Sequence, residues 1–370
     1  MIVSFLGIIA YAVGLGHLIV PVSYYLYLKR YRDKPWAITV DSGFRPKIAV
    51  ILPTYNESAV IESRMDNLTE QNYPRELIKL IVVDSSNDGT AELVENWANS
   101  DSSVELIREG HRRGKLEAVF LALDHVPQDV GAVVLTDADA VWEPSALEKA
   151  VGYLSDPSVA CVTSCMTYLD DEHHALEHTY RDYYNTVRIC ESKIHGTPLQ
   201  NGPFIAIKSE LLRKVGLPTF VGSDDSMFGS FFGLAGYRAI QVDDIVVREP
   251  KRTQYARMIR RAQTVLFNFL LTKRYAKKTR RYRKSSFEKV WKIEWWLHVA
   301  NPWLLLASAT LIAADVALGS ILSLGILLVA IASLSLKTTR MWVRYQVYIM
   351  LATFRSIRAR TVVWEERKAL

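Results

Sequence analysis

Apolar positions along the chain follow two patterns: unbroken runs near both ends, and short bursts separated by helix-period stretches in between. Residues 3–28, VSFLGIIAYAVGLGHLIVPVSYYLYL, carry no Lys, Arg, Asp or Glu and are long enough for one span of about 20 residues. The start is uncharged, and Lys29, Arg30, Arg32 and Lys34 follow the run. A cleaved leader has the opposite polarity and a shorter core, so residues 1–34 read as an uncleaved anchor with its C-terminal end in the cytoplasm. A second run, from about Trp295 to Leu336, predicts a membrane hairpin over 295–337 that turns near Asp315, Gly319 and Ser320. Lys289 and Lys292 precede it, Lys337 and Arg340 follow it, and the turn carries no basic residue. Every basic cluster therefore falls on one side of the membrane. The next stretch, MWVRYQVYIMLATF, is short for a span and holds Arg344. It predicts an interfacial helix leading into a cytoplasmic tail within 338–370, with a further span as the alternative.

Between these ends, residues 35–250 alternate strand and helix patterns. KIAVILPTYNE is a buried strand entering a turn, and ESAVIESRMDNLTEQ has helical period. LIKLIVVDSSNDGT is a second strand entering a loop, AELVENWAN a helix, and GAVVLTDADA a third strand. This alternation predicts an α/β domain with a mostly parallel sheet and helices on both faces. Such sheets bind ligands at the carboxyl ends of their strands.

Charge sharpens the picture at one place. The net charge is +6, and eight basic residues from Lys273 to Lys284 crowd the end of an amphipathic segment, 251–294, ahead of the hairpin. Beside a membrane-grade run, this suits an anionic lipid surface. No nucleic-acid-binding module accompanies it, so nucleic acid is not an expected partner. Cys161, Cys165 and Cys190 show no zinc spacing and read as buried thiols of a reducing compartment.

Three acidic clusters each follow an apolar run: Asp84, then Asp137 with Asp139, then Asp224 with Asp225. On extended backbone Asp137 and Asp139 would leave the same face, where a divalent cation, Mg²⁺ or Mn²⁺, relieves their repulsion and still accepts phosphate oxygens. A sugar nucleotide with its metal meets that need. Asp84 can accept from a ribose or base edge, while Asp88 caps the helix that begins at Thr90. Arg112, Arg113 and Lys115 surround Gly114 at a helix start, which suits a phosphate, although a solvated basic loop has the same composition. Of Asp224 and Asp225, one can cap the following helix and the other can act as general base. Asn201, Gly202 and Pro203 predict a tight turn where an acceptor can approach the backbone. His173, His174 and His178 lack a strong third ligand and read as a surface or acceptor-facing helix.

With these residues assembled, the chain resembles the family 2 inverting glycosyltransferases with a GT-A fold, over about residues 47–263. It looks most like the membrane-anchored branch of cellulose-synthase-like and hyaluronan-synthase-like enzymes. The motif PTYNE (Pro53 to Glu57) matches the family's opening motif, so Pro53, Tyr55 and Glu57 are implied to line the nucleotide pocket, and Asp84 matches the nucleoside-binding aspartate. Lys115 joins the donor side on the residue reading above. Asp137 and Asp139 match the metal motif. Ser223-Asp224-Asp225 stands where the family has Thr-Glu-Asp, making Asp225 the implied base and placing Asp224, Asn201 and Gly202 on the acceptor side. The loop after Asp84 is about one residue shorter than the family's. The Gln-x-x-Arg-Trp motif is degenerate in YARMIRRAQT: Arg261 matches its arginine, with Met258 and Ala262 at the glutamine and tryptophan positions. A second register uses Gln254 and Arg257. Arg260 and Arg261 are then expected near the donor diphosphate. The missing tryptophan argues against a long-chain polymerase.

The resemblance implies a GT-A domain flanked by transmembrane helices, catalytic in the cytoplasm at the cell membrane. It implies inverting, metal-dependent transfer from a nucleotide-sugar to a lipid-linked or glycan acceptor. A processive polysaccharide synthase is the alternative within the class, and a non-catalytic sugar-nucleotide-binding scaffold the alternative outside it.

Overall fold

The computed structural model describes residues 4–169, 175–220, 222–250 and 255–358. Its strands are β1 (Ile48–Thr54), β2 (Ile78–Asp84), β3 (Val104–Arg108), β4 (Ala132–Thr136), β5 (Val141–Trp142), β6 (Val159–Tyr168), β7 (Phe204–Lys208) and β8 (Arg238–Glu249). The first eight helices are α1 (Phe5–Lys29), α2 (Ile61–Thr69), α3 (Thr90–Ser100), α4 (Lys115–Asp124), α5 (Ala146–Leu154), α6 (Ala175–Ile194), α7 (Ser209–Val215) and α8 (Phe228–Leu234). After them come α9 (Tyr255–Phe267), α10 (Lys273–Lys278), α11 (Phe287–Trp295), α12 (Asn301–Ala317), α13 (Ile321–Ser333) and α14 (Lys337–Arg358).

The strands form one eight-stranded sheet in the order β3-β2-β1-β4-β7-β6-β8-β5. The β1–β2, β2–β3, β1–β4 and β6–β8 pairs are parallel, while β7 runs antiparallel to both β4 and β6. The sheet is thus mixed but mostly parallel, as the alternation predicts. Its central strands are buried on both faces, which is why they read as continuous Val/Ile/Leu runs. Ile48, Val50 and Leu52 pack in one layer with Ile61, Met65 and Leu68 of α2, Val94 of α3 and the apolar side of α5. Ala49 and Ile51 point the other way, into a layer with Ala118, Val119 and Ala122 of α4 and the aromatic side chains of α8. Burying each large aliphatic side chain contributes about 1.5–3 kcal/mol. Cys161, Cys165 and Cys190 are free and buried.

Among the described residues, α1 and the continuous rod 287–317 are long and apolar enough to cross a membrane. A π-helical turn, Trp296–Ala300, joins α11 to α12 within that rod. The second arm of the expected hairpin, α13, has only thirteen residues. That gives about 20 Å of rise, short of a hydrocarbon core of about 30 Å. The chain then bends by 99° into α14, so a third span exists only if the bent pair counts as one.

Ser320 caps α13, and Gly319 takes φ +91° in the turn. Asp315 lies in the last turn of α12, where its carbonyl accepts from the Ser320 amide at 3.1 Å and closes the turn. Its side chain is buried and accepts hydrogen bonds from Ser4 and, at 2.5 Å, from Ser323. At the other end of the bundle, His17 of α1 is hydrogen-bonded to the Asn301 carbonyl (3.1 Å) and accepts from Trp342 of α14 (3.0 Å). Leu15, Leu18, Ile19 and Val22 of α1, with Leu328, Val329 and Ile331 of α13, face outward.

The topology is testable with accessibility tags. If α1 and the 287–317 rod cross and α13 returns, tags in the central domain and after Leu370 report the same face, and a tag at Gly319 reports the opposite one. A tail tag on the Gly319 side would mean that the α13–α14 pair makes no net crossing, either because α14 crosses after α13 or because neither does.

Candidate active site

The pairing register decides which loops meet. Thr54, the last residue of β1, stands opposite Asp84, the last of β2, and β4 ends beside them on the other flank of β1. Because β7 is antiparallel to β4, with Thr136 opposite Phe204, the turn before β7 returns to this same edge. Asn201, Gly202 and Pro203 form that turn, closed by the Phe204 amide donating to the Asn201 carbonyl at 3.0 Å.

Asp84 is buried and well held. It accepts from the Thr54 hydroxyl (2.6 Å), the Ser86 hydroxyl (2.6 Å) and the Ser86 amide (3.0 Å). The loops after β1 and β2 brace each other: the Asn56 amide donates to Ser86 (2.8 Å), Asn87 to Asn56 (3.1 Å) and Glu57 to Thr90 (2.9 Å). Asp88 accepts from the Thr90 amide at 3.1 Å, but it stands one place before the cap, which is Gly89 in a left-handed conformation rather than the expected Asp88. Pro53 lies within β1, and the Arg112 guanidinium stacks 3.8 Å from the centre of the Tyr55 ring.

Charge concentrates around Lys115, the first residue of α4, which follows Gly114 at φ +108°. Its ammonium donates to Asp137 Oδ1 at 2.6 Å and also to Asp225 Oδ2. Asp225 opens a short 3₁₀ turn, Asp225–Met227, and Asp224 caps it by accepting from the Ser226 amide at 2.9 Å. Burial alone would raise the Asp225 carboxyl, but the Lys115 charge overrides it and holds the pKa to about 2. Burial and the neighbouring Asp225 charge push Asp224 well above the usual carboxylate range. Burial likewise works against the Lys115 ammonium, yet Asp137 and Asp225 raise its pKa. The two neighbouring carboxyls are thus pushed in opposite directions, Asp225 toward its ionised form and Asp224 away from it.

Two further expectations need correction. β4 ends at Thr136, and Asp137 to Ala140 form a turn in which the Ala140 amide donates to the Asp137 carbonyl at 3.4 Å. The alternation of an extended strand therefore does not govern how Asp137 and Asp139 are presented. Second, the space over Gly202 is filled from within. A Cβ there would lie 2.7 Å from Asp225 Oδ2, so the glycine makes room for this carboxylate.

Arg260 and Arg261 lie on α9, which packs against the Asp225–Met227 turn. Arg260 is buried, and Arg261 sits 3.5 Å from Glu249, which also binds Arg181. Gln254 of the alternative register, His173 and His174 fall outside the described residues, as does the side chain of His178.

Arg64 escapes a reading by motif. It is buried beneath Asp137, donates to Thr136 (2.7 Å) and Asn67 (2.6 Å), and stacks 4.4 Å from the Trp142 ring. Burial lowers its pKa to about 9 against the opposing pull of Asp137. Its signal in the sequence is an arginine within the apolar stripe Ile61, Met65, Leu68 of α2. Arg188 of α6 donates to Asn201 Oδ1 at 2.6 Å and fixes the turn beside Asp225.

Comparison with known proteins places this geometry. Residues 49–216 match the model of glycosyl transferase family 2. The mannosyltransferase PcManGT from Pyrobaculum calidifontis, solved in complex with GDP-Man and Mn²⁺, is 38% identical. It superposes with a TM-score of 0.83 over 95% of this chain and 99% of its own. The chain belongs to glycosyl transferase family 2. It is a glycosyltransferase with a GT-A fold, and this whole-chain likeness is to a mannosyltransferase rather than to a cellulose or hyaluronan synthase. Glycosyltransferase AglE of Haloferax volcanii is 29% identical over 119 residues, 32% of this chain and 38% of its own length. The O-antigen chain rhamnosyltransferase RfbN of Salmonella typhimurium is 27% identical over 214 residues, 55% of this chain and 66% of its own. The chain therefore spans less than two thirds of these two relatives.

Gly202→Ala tests the packing at the centre of this glycosyltransferase site. The added methyl group must displace the Asp225 carboxylate, and turnover should fall by roughly 10²-fold, the scale of a misplaced reacting group. A thermal melt close to wild type would locate the loss in the site, and unchanged turnover would show that Asp225 can move without consequence.

Proposed function

We propose that this glycosyltransferase moves mannose from GDP-mannose, with Mn²⁺ or Mg²⁺, to a lipid-linked or other membrane-proximal acceptor, with inversion. The observation that carries the reading is the meeting of Asp137, Lys115 and Asp225 over Gly202 at the carboxyl edge of the sheet. The likeness to PcManGT over 99% of that chain supports the donor and the metal.

The residues present fit a hard divalent cation. Asp137 and Asp139 are both carboxylates, and among the described residues no cluster of three or more potential ligands surrounds them. Two carboxylates with the remaining positions left to phosphate oxygens and water is the usual arrangement for Mg²⁺-like ions. When bound, such an ion supplies charge neutralisation for a departing diphosphate.

The other roles follow from position. Asp84, held rigid by Thr54 and Ser86, and Tyr55, backed by Arg112, offer an acceptor and a flat face to the nucleoside, with Pro53 and Glu57 in the same loop. Arg260 and Arg261 on α9 lie on the approach to Asp225, where a cation offsets charge on the leaving group. Asp225 accepts the proton of an acceptor hydroxyl, and Asp224 holds its turn. A polyprenyl phosphate acceptor is already ionised and needs no base. The exposed basic residues from 277 to 284 suit an anionic lipid surface, consistent with catalysis at the cytoplasmic face of the cell membrane.

Purified protein in detergent, offered radiolabelled GDP-mannose and a panel of lipid acceptors, tests the reading. Transfer should stop in chelator and return with Mn²⁺ or Mg²⁺. Full activity in chelator would remove the metal, and transfer only from another nucleotide-sugar would remove the donor. Donor hydrolysis or transfer of any kind excludes the silent scaffold.

A paired substitution separates the two neighbouring aspartates. Asp225→Asn should cut transfer to a hydroxyl acceptor by roughly 10²-fold or more while GDP still binds. Asp224→Asn should cost far less, because asparagine also caps well. Normal hydroxyl transfer by Asp225→Asn would place the base elsewhere.

A further inference from the structure

Lys115 begins a helix, where the backbone dipole disfavours a cation. What holds it there is a pair of carboxylates from separate parts of the chain. The ammonium bonds Asp137, read here as a metal ligand, and Asp225, read here as the base. The Asp225 side chain is only 8% exposed, so that arm of the bridge is shielded from solvent, whereas Asp137 is 32% exposed and open to an incoming ion. Two carboxylates facing the same small volume repel one another unless a cation lies between them. Here a cation between them is part of the protein, the Lys115 ammonium.

We propose that Lys115 is a tethered counterion. It occupies the charge niche of the donor-free site, competes with divalent ions for Asp137, and transfers its ammonium to the diphosphate when nucleotide and metal arrive together. The proposal rests on the reading of Asp137 as a metal ligand. A second cation near the same carboxylate is repelled by the ammonium, so metal alone binds weakly. A nucleotide diphosphate gives the ammonium a new anionic partner and removes that repulsion. Binding of metal and nucleotide therefore becomes mutually dependent, each raising the affinity of the other by the same factor.

Electron paramagnetic resonance of Mn²⁺ reads this directly, since the free hexa-aquo ion can be counted against full-length protein in detergent. Mn²⁺ alone should bind Lys115→Met roughly tenfold or more tighter than wild type, because the competing charge is gone. GDP with Mn²⁺ should bind the variant more weakly, because the diphosphate has lost its ammonium. A merely structural lysine would weaken both. Lys115→Arg keeps the charge and should behave as wild type toward Mn²⁺ alone. If Lys115→Met does not fold, Lys115→Gln carries the same expectation. Equal or weaker binding of Mn²⁺ alone to a folded, uncharged variant overturns the proposal while leaving the metal site standing. A wild type that takes up no Mn²⁺ even with GDP removes the metal reading and the proposal with it.

Discussion

Carboxylates gathered on one sheet edge need compensating charge, and the rest of the site is arranged around that requirement. Parallel pairing of β2, β1 and β4 sets Asp84 and Asp137 along one line, and antiparallel β7 returns Gly202 to meet Asp225. Buried acidic groups at such density would drive the site apart or force it to take up protons. The protein meets this in two ways. Lys115 ties Asp137 to Asp225, and Arg64 is buried beneath Asp137. Asp84 takes the remaining route, with its charge spread over hydroxyl and amide donors.

The membrane-grade helices are joined to this domain by specific polar contacts rather than by a loose tether. Tyr24 of α1 donates to Glu191 of α6 at 2.7 Å, and Thr197 donates to the other oxygen of that carboxyl at 2.9 Å. Trp342 links α14 to α1 through His17, and α14 packs along α9 with Tyr348 against Tyr255. Glu249, at the end of β8, engages arginines from both α6 and α9. These ties set the helices beside the Asp225 turn at a fixed place relative to the long apolar elements.

Local pattern made much of the architecture legible. The uncharged stretch of α1, the Val/Ile runs of β1, β2 and β4, and the turn residues after Asp84 each carry their signal within a dozen positions. Asp84, Asp137 and Asp225 stand out for the same reason, as acidic residues following apolar runs. What escaped depends on partners remote in the chain. Nothing near Phe204 announces that β7 runs against β4, and that reversal alone brings Gly202 to Asp225. The turn at Asp137 to Ala140 replaced an expected extended segment because β4 ends one residue early. The carboxylate partners of Lys115 could not be read, because they lie 22 and 110 positions away. Arg64 shows as a charge in an apolar stripe, but its role needs Thr136 and Trp142 in view.

The central claim is that Asp137 and Asp139 make the donor's binding depend on a divalent ion. Calorimetric titration of GDP-mannose into wild type and Asp139→Ala, each with saturating Mn²⁺ and with chelator, tests it most directly. The account predicts that wild type binds the donor strongly only with the ion, and that the variant binds weakly in both conditions. Donor binding by wild type that is the same in chelator, or ion-dependent binding retained in full by Asp139→Ala, would contradict it.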